Sequence, residues 1–540
     1  MYGIALDLGT SGFRAQLIDL ENKETVKTVI TMNHPLPGGN VMDHLDFAIQ
    51  SGPDIAHGII IETIEKIFLK FDRDLSKIER LAVCGNPIQL SLFQNMEIRD
   101  LAYAGKSKQK KLGVENVKRE ARIFPADELF NRDVKLPNAE IIIPPAIKHE
   151  IGADALAMMI KTDFMNQQEI SLVTDYGTNA EMALKIGDRI ITGSAAAGPA
   201  IEGQGIDCGM LASPGAISNV NEEDGVWRLT VLNERMEEKK GYLIDPVTGE
   251  IRDEGEVKPK GITGTGVIAA ISLAVNTGII KKLPHLPNGK LILGEDIVLR
   301  DKDIEEAGKA IGAIRAAHLA LLVESGVKYE DLKNMYMSGA SGTYVDADKA
   351  RKIGLVPNFS KKIVQFGNTS IALAKDLVMD SSKLDEISEI ASRITADHLM
   401  MAKSSTFTDI YLSELSYWTH GMPLEMYNEM LEMYNIPKPP EIFQNPVIER
   451  RMVKDISDVG KEGIDIVREI GTVITEVTDG CIFCHKCETE CPEDAITIVE
   501  RNGELIAEYS TEKCLGTSCR RCVAICPESA IHYKDIQIKR

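Results

Sequence analysis

Eight of the ten cysteines lie in the last sixty residues, and their spacing dictates how that segment can fold. Cys481-x2-Cys484-x2-Cys487-x3-Cys491-Pro492 is followed by Cys514-x4-Cys519-x2-Cys522-x3-Cys526-Pro527. Three closely spaced thiolates can wrap three corners of an iron–sulfur cubane. In two-cluster ferredoxins the Pro-flanked fourth cysteine crosses to the other cluster. The spacing therefore predicts two 4Fe–4S clusters, one held by Cys481, Cys484, Cys487 and Cys526, the other by Cys514, Cys519, Cys522 and Cys491. The copies also share Cys-Pro-Glu-x-Ala-Ile at an offset of 35 residues. Zinc is the alternative, but zinc modules use paired Cys-x2-Cys knuckles and need no proline after the last ligand. The x4 gap after Cys514 adds two residues to one loop and removes no ligand. It is expected to alter solvent access or potential at that cluster.

At 540 residues the chain is too long for one ordinary domain; length alone predicts about three or four. No run reaches the ~18 apolar residues of a membrane span. Met1-Tyr-Gly-Ile-Ala-Leu-Asp7 enters a strand pattern directly, without the basic and apolar regions of a signal peptide. A cytoplasmic location is expected. The net charge of −20 would repel nucleic acid, and its spread along the chain serves solubility. Only Cys84 and Cys208 lie outside the terminal group, so the grouped cysteines read as metal ligands before disulfides.

Upstream, Tyr2 to Leu8 reads as a strand, Gly9-Thr10-Ser11-Gly12 as a tight turn, and Phe13 to Leu20 as a second strand. A cousin follows 168 residues later, with Asp175-Tyr-Gly177-Thr178-Asn179 between strands starting near Ile170 and Glu181. This is duplication at domain scale. Apolar residues at helical spacing predict helices over Ile55–Phe71 and Ile304–Glu324. Strands mixed with helices indicate an α/β architecture. The expected layout is an ATPase domain over 1–418, a linker over 419–477 whose residues 419–450 are rich in Met, Tyr and Pro and whose Val453–Ile474 reads as a helix or strand pair, and an α+β two-cluster ferredoxin domain over 478–540. Lobe I would run to about residue 170 and lobe II from 171 to 418, with a return to lobe I near 365–400.

Asp7-Leu-Gly9-Thr10-Ser11-Gly12 suits phosphate. The glycines let amides approach oxygens, the hydroxyls donate, and Asp7 can hold Mg²⁺ through water. The second Asp-Gly-Thr turn strengthens the reading, because two hairpins can clamp a triphosphate and its metal. Gly339-Ala-Ser341-Gly342, after a strand over Asn334 to Met337, would pass close to an adenosine. Gly261-Ile-Thr-Gly264-Thr265-Gly266 is a fourth Gly-rich turn, read as a helix N-terminus that could also line the nucleotide. No G-x4-G-K-[ST] loop is present.

In this order and spacing the set resembles the superfamily of acetate kinases, sugar kinases, heat-shock-70 ATPases and actins. That resemblance implies a duplicated two-lobed ATPase with a nucleotide cleft. Within it, the chain resembles the corrinoid-protein reductive activases, on Pro144-Pro-Ala-Ile-Lys-His-Glu-Ile-Gly152-Ala-Asp154, Ala195-Ala-Ala-Gly198-Pro-Ala-Ile-Glu-Gly203 with Gly209-Met210, and Phe366-Gly-Asn368-Thr369-Ser370. Bacterial members carry an N-terminal 2Fe–2S domain that this chain lacks. The terminal ferredoxin instead resembles archaeal members serving methylamine methyltransferases in methanogenesis. The resemblance implies ATP, Mg²⁺ and an unidentified low-potential electron donor. It implies corrinoid proteins specific for mono-, di- or trimethylamine as partners, with no nucleic acid or membrane. Asp7 and Asp175 would position Mg²⁺ and the attacking water. Thr10, Ser11, Thr178 and Asn179, with Gly9, Gly12 and Gly177, would contact phosphates. Gly339, Ser341, Gly342 and Gly264 would line the rest of the nucleotide. A mismatch of order 200 mV between donor and cobalt would cost about 4–5 kcal/mol, which nucleotide-driven conformational change can supply.

A dehydratase-activator type of ATP-dependent electron donor, or a small-molecule kinase with an accessory ferredoxin, remains an alternative. His34, His44 and His149 read as core or solvated histidines, Cys84 as a small buried residue, and Cys208 as an exposed one. The run Met422 to Met433 reads as packing.

Overall fold

The computed structural model describes the chain except residues 104–105, 115–116, 132, 148–150, 204, 395, 453–455, 457, 469, 518, 534 and 540. Of residues 106–108, 199, 202, 340, 341, 343 and 396 it describes the backbone alone. The chain forms two compact units: Met1–Leu156 with Ser370–Ser392 and Val459–Arg540, and Ala157–Thr369 with Arg393–Asp458.

In the first unit, the apolar run Tyr2–Leu8 is a central strand, buried from Gly3 onward. It pairs antiparallel with Phe13–Asp19 and parallel with Ile78–Gly85. Glu24–Thr31 extends one side; Glu140–Ile143 and Arg122–Pro125 extend the other. The second unit repeats the plan. Ser171–Asp175 pairs antiparallel with Asn179–Ile186, which pairs with Arg189–Ala196. On its other side Ser171–Asp175 runs parallel to Asn334–Ser338, which runs parallel to Lys362–Gln365. Asp7 and Asp175 thus stand near the C-terminal ends of corresponding central strands, where parallel sheets present their ligand crevices.

The predicted helices form as Pro53–Lys70 and Asp301–Glu324. Gly308 and Gly312 let the latter approach the helix Ser405–His420; a Cβ on Gly308 would come within 2.8 Å of Trp418 Cβ. Glu414, fully buried there, accepts from Trp418 Nε1 at 3.2 Å and from the Tyr427 hydroxyl, and pairs with Arg315 at 3.4 Å. A buried carboxylate is tolerated only when paired and hydrogen-bonded in this way.

Within residues 419–477, expected as a linker with a helix or strand pair over Val453–Ile474, three short strands join three different sheets. Val447–Arg450 runs parallel to Lys362–Gln365 in the second unit. Ile464–Val467 runs parallel to Glu24–Thr31 in the first. Val473–Val477 is an inner strand of the cysteine-rich module, in the sheet order Ile496–Arg501, Glu504–Ser510, Val473–Val477, Gln537–Ile538. The methionine-rich run forms the helix Leu424–Met433; it packs through Tyr427 and Leu431 and leaves Met426 and Met433 exposed. Ser370–Ser392, within the expected return, belongs to the first unit. Among the described residues no helix is long and apolar enough to cross a membrane.

His34 and His44 are buried as core histidines, as expected, and His149 lies outside the described residues; His318, not considered from the sequence, is buried too. Desolvation lowers His44 and His318 to about 3, and burial with the neighbouring His44 ring lowers His34 well below its usual value. A histidine held neutral when folded binds its proton only on unfolding. Its contribution is therefore complete above about pH 6.5 and is lost as pH falls from there toward 3. Each adds a slope of about 1.4 kcal/mol per pH unit below about pH 6. Urea midpoints of H318Q between pH 7.5 and 5 should fall less steeply than those of the parent protein. An unchanged slope would contradict the neutral, buried assignment of His318.

Candidate nucleotide loops and cysteine cavities

The first Asp-Gly-Thr turn is tight for a steric reason. A Cβ on Gly9 would lie 2.8 Å from the Gly12 carbonyl oxygen, and one on Gly12 would lie 2.9 Å from Thr31 Oγ1. Thr31 Oγ1 accepts from the Phe13 amide at 2.8 Å, fixing the exit of the turn. Thr10 Oγ1 accepts from Asn86 Nδ2 at 3.3 Å. Asp7 is buried, with Arg14 Nη1 4.0 Å from its carboxylate. Two neighbours of Asp7 had no place in the nucleotide site on sequence grounds: Asp154, named only within the Pro144–Asp154 run, and Cys84, read as a small buried residue. Asp154, at the start of the helix Ala153–Lys161, is half-buried, yet its carboxyl is pushed up to about 6, by desolvation first and by Asp7 next. Burial, then the Asp7 and Asp154 carboxylates, push the Cys84 thiol well up. Cys84 is thus a buried neutral group beside two acids, and the acids together suit a divalent cation.

In the second unit, Asp175 ends its strand against the Gly339 turn. A Cβ on Gly339 would lie 2.3 Å from Asp175 Oδ1, and Gly339 has φ +88°, so only glycine fits there. Ser338 Oγ donates to Asp175 Oδ2 at 3.2 Å, and the Tyr176 amide donates to the Ser338 carbonyl at 3.0 Å. The expected loop around Ser341 is a short helix, Gly339–Tyr344, whose Gly342 carbonyl accepts from Gln365 Nε2 at 3.1 Å. Gly177 and Asn179 lie in and just after the Asp175 turn, and Thr178 is buried there. The Thr178 carbonyl accepts from the Gly198 amide at 3.0 Å, which ties the Ala195–Gly203 run to this turn.

Gly264 is placed by packing. A Cβ there would lie 2.0 Å from the Ile201 carbonyl oxygen. The Thr263 hydroxyl accepts from the Gly266 amide at 3.0 Å, and the Thr265 hydroxyl donates to the Ser218 carbonyl at 3.2 Å. The turn caps the buried helix Gly264–Asn276 and its threonines are engaged internally. Cys208 is partly buried, not exposed as expected; its thiol, raised to about 11 by burial, donates to the Val298 carbonyl at 3.5 Å.

The terminal cysteines line two cavities. One is bounded by Cys481, Cys484, Cys487 and Cys526, the other by Cys514, Cys519, Cys522 and Cys491. Each set contains three closely spaced cysteines and the distant one from the other copy. The 35-residue repeat reaches the backbone: His485 and Arg520 have φ of 56° and 47°, and Asp494 and Ser529 have φ of 47° and 50°. Cys491 Sγ accepts from the Ala495 amide and Cys526 Sγ from the Ala530 amide, both at 3.2 Å. Such N–H···S bonds favour thiolate and tune a cluster held there. Burial pushes the Cys487 and Cys522 thiols up to about 11 and about 12. Thiols so desolvated ionise only when a metal supplies the counter-charge. Among the described residues no three His, Cys, Asp or Glu side chains converge as a single metal ion requires. Four thiols lining one cavity fit a multi-atom cluster.

Residues 169–428 match the family described as the C-terminal domain of RACo, the ASKHA domain; residues 2–167 match the RACo middle region; residues 480–530 match a 4Fe–4S dicluster domain. Over 518 residues the chain is 67% identical to the Co(II) methylated amine-specific corrinoid protein reductase of Methanosarcina barkeri, covering 96% of each chain. It is 26% identical to the corrinoid activation enzyme RamQ of Eubacterium limosum, over 78% of this chain and 71% of that one. The solved reductive activator for a corrinoid, iron–sulfur protein shares the fold, with TM-score 0.62 at 24% identity, over 77% of this chain and 66% of that one.

Crossed ligation makes a specific demand on paired variants. C491A combined with C514A should lose no more cluster iron than C514A alone, because both would act on one cluster. C491A combined with C481A should lose about twice as much. Iron and sulfide analysis of the purified variants reads this directly, and the reverse ranking would show uncrossed ligation.

Proposed function

Because the chain belongs to the family of corrinoid-protein reductive activators, we propose that it reduces a methylamine-specific corrinoid protein from inactive Co(II) to Co(I) at the expense of ATP. The observation that carries this reading is the 67% identity to such a reductase across nearly the whole chain, all eight terminal cysteines lining two cavities. One electron leaves a low-potential donor and ends on cobalt, while ATP and water become ADP and phosphate. The 4Fe–4S dicluster domain supplies one-electron transfer when loaded.

The residues of each unit have separate tasks. In the first, Asp7 with Asp154 would hold Mg²⁺ through its water, and the amides of Gly9 to Gly12 with Thr10 and Ser11 would donate to phosphate oxygens. In the second, Asp175, held by the Ser338 hydroxyl, would orient the attacking water. Thr178, Asn179 and Gly177 would bind phosphate, and Gly339, Ser341 and Gly342 would give the adenosine its close backbone approach. The internally bonded threonines beside Gly264 favour a scaffolding role for that turn over nucleotide contact. The kinase alternative gains no specific observation.

The test mixes the purified protein, a reductant, Mg-ATP and a Co(II) corrinoid protein, and follows the cobalt spectrum. Co(I) should form only with ATP. D175A should lower the rate by at least 10²-fold, the scale of removing a group that positions a reacting water, with iron–sulfur absorbance unchanged. ATP-independent reduction, or full activity in D175A, would overturn the proposal.

A further inference from the structure

The two extra residues in the Cys514-x4-Cys519 loop sit at a contact with the first lobe of the same unit. The Gly38 amide donates to the Cys514 carbonyl at 3.1 Å. A Cβ on Gly516 would lie 3.3 Å from Gly38 Cα. The Thr517 hydroxyl bonds Asp46, and the Arg520 guanidinium bonds Gln50, both on the helix Val41–Ser51. Phe47 of that helix meets the Tyr533 ring edge-on at 6.1 Å, and the Tyr533 hydroxyl lies 3.5 Å from Cys514 Sγ. The cavity of Cys514, Cys519, Cys522 and Cys491 is therefore the one seated on the lobe.

The same helix carries His44, which meets Gln89 of the helix Pro87–Phe93, whose cap Asn86 bonds Thr10. Gln89 bridges the two buried histidines: its Oε1 accepts from His34 Nε2 at 3.0 Å and its Nε2 donates to His44 Nδ1 at 2.9 Å. The rings stack at 3.8 Å. His34 Nδ1 accepts from the Leu36 amide at 3.1 Å, just before the turn that carries Gly38. The Gly38 carbonyl faces the His44 ring without closing a full hydrogen bond, leaving the buried His44 Nε2 without a partner among the described residues. On the other side, the Gln89 amide donates at 2.9 Å to Asn86 Oδ1, and Asn86 Nδ2 donates to Thr10. The phosphate turn and the cysteine loop are thus joined through side-chain and backbone hydrogen bonds, the stacked rings and the short backbone run from Leu36 to Gly38, with His34, His44 and Gln89 buried at its centre.

We infer that Gln89, with the His34–His44 stack, is a positioning relay through which nucleotide at the Thr10 turn resets the Gly38–Cys514 contact and so the environment of the cluster held by Cys514, Cys519, Cys522 and Cys491. This rests on the proposed ATP site and goes beyond it by naming which cluster senses the nucleotide and by what route. Physically, Thr10 turning its hydroxyl to phosphate releases Asn86, the cap of the helix Pro87–Phe93. The helix end and Gln89 then shift against two rings whose polar atoms have no water to fall back on. Backbone dipoles next to a cluster sulfur tune its potential.

The experiment uses the full, cluster-loaded protein in an anaerobic EPR-monitored redox titration with and without a non-hydrolysable ATP analogue and Mg²⁺. Nucleotide binding is measured in parallel by calorimetry. Nucleotide should change the reduced-to-oxidised ratio of one cluster about tenfold at fixed potential, about 59 mV for one electron, and leave the other unchanged. Q89L should bind nucleotide and hold its iron, yet lose the shift. D46A, which loosens the module from the opposite end, should reduce it. Hydrogen exchange on the parent protein gives a readout independent of variant folding: nucleotide should change protection at Gly38 and Gly516. No nucleotide binding at all would sink the ATP reading itself. Binding without a shift, a shift retained in both Q89L and D46A, or unchanged exchange at Gly38 would overturn the relay alone.

Discussion

The donation from the Gly38 amide to the Cys514 carbonyl sets where the redox module stands on the first lobe. Without it and its flanking contacts, the cysteine loop would lose its seat on the helix Val41–Ser51. With it, the helix Val41–Ser51 has one face on the cysteine loop and another on the Gln89 bridge. A second tie fixes orientation: Lys66 Nζ donates to the Ile470 carbonyl at 3.2 Å, and Thr472 bonds Glu62 at 3.3 Å. The module is also anchored through the main sheet, since Ile464–Val467 pairs with Glu24–Thr31 before the chain enters the cysteine region. A strand pairing cannot slip by one residue without turning its side chains to the wrong face, so the module inherits the register of the lobe.

The chemistry follows from what burial forbids. Desolvation drives the half-buried Cys522 thiol and Asp154 carboxyl toward their neutral forms. In the proposed function each would be relieved by a cation, iron in one case and a divalent ion in the other. Elsewhere the fold neutralises its buried polar groups internally. Glu414 has Arg315, Trp418 and Tyr427, and the Gly264 turn has its own threonines. The contrast separates groups that await a ligand from groups that hold the scaffold.

Much of this was legible in the sequence because it is written locally. Cysteine spacing encodes the crossed grouping, since a short loop can place only three thiols around one cavity. The Asp-Gly-Thr turns announce themselves by glycine between two apolar runs, and the corresponding strands behind them follow. What was not legible depends on residues far apart in the chain. Asp154 acts through Asp7, and Gln89 through two histidines 45 and 55 positions away; no periodicity marks either. The strands Val447–Arg450 and Ile464–Val467 are four residues each in a Pro- and charge-rich stretch. Val447 and Ile448 are largely exposed, so the edge position hides the apolar pattern that a central strand displays. The short helix at Ser341 was read as a loop because glycine at both ends is ordinarily a turn signal. Here Gly339 is required by the nearby Asp175 carboxylate instead.

The most direct test of the account is a single-turnover reduction with no reductant left in solution. The protein is reduced to completion, separated from reductant, and mixed with excess Co(II) corrinoid protein in the presence or absence of Mg-ATP, while Co(I) is counted by its absorbance. Two one-electron clusters predict at most two Co(I) per chain, formed only with ATP. Equal Co(I) without ATP would contradict the account, as would a yield beyond two per chain.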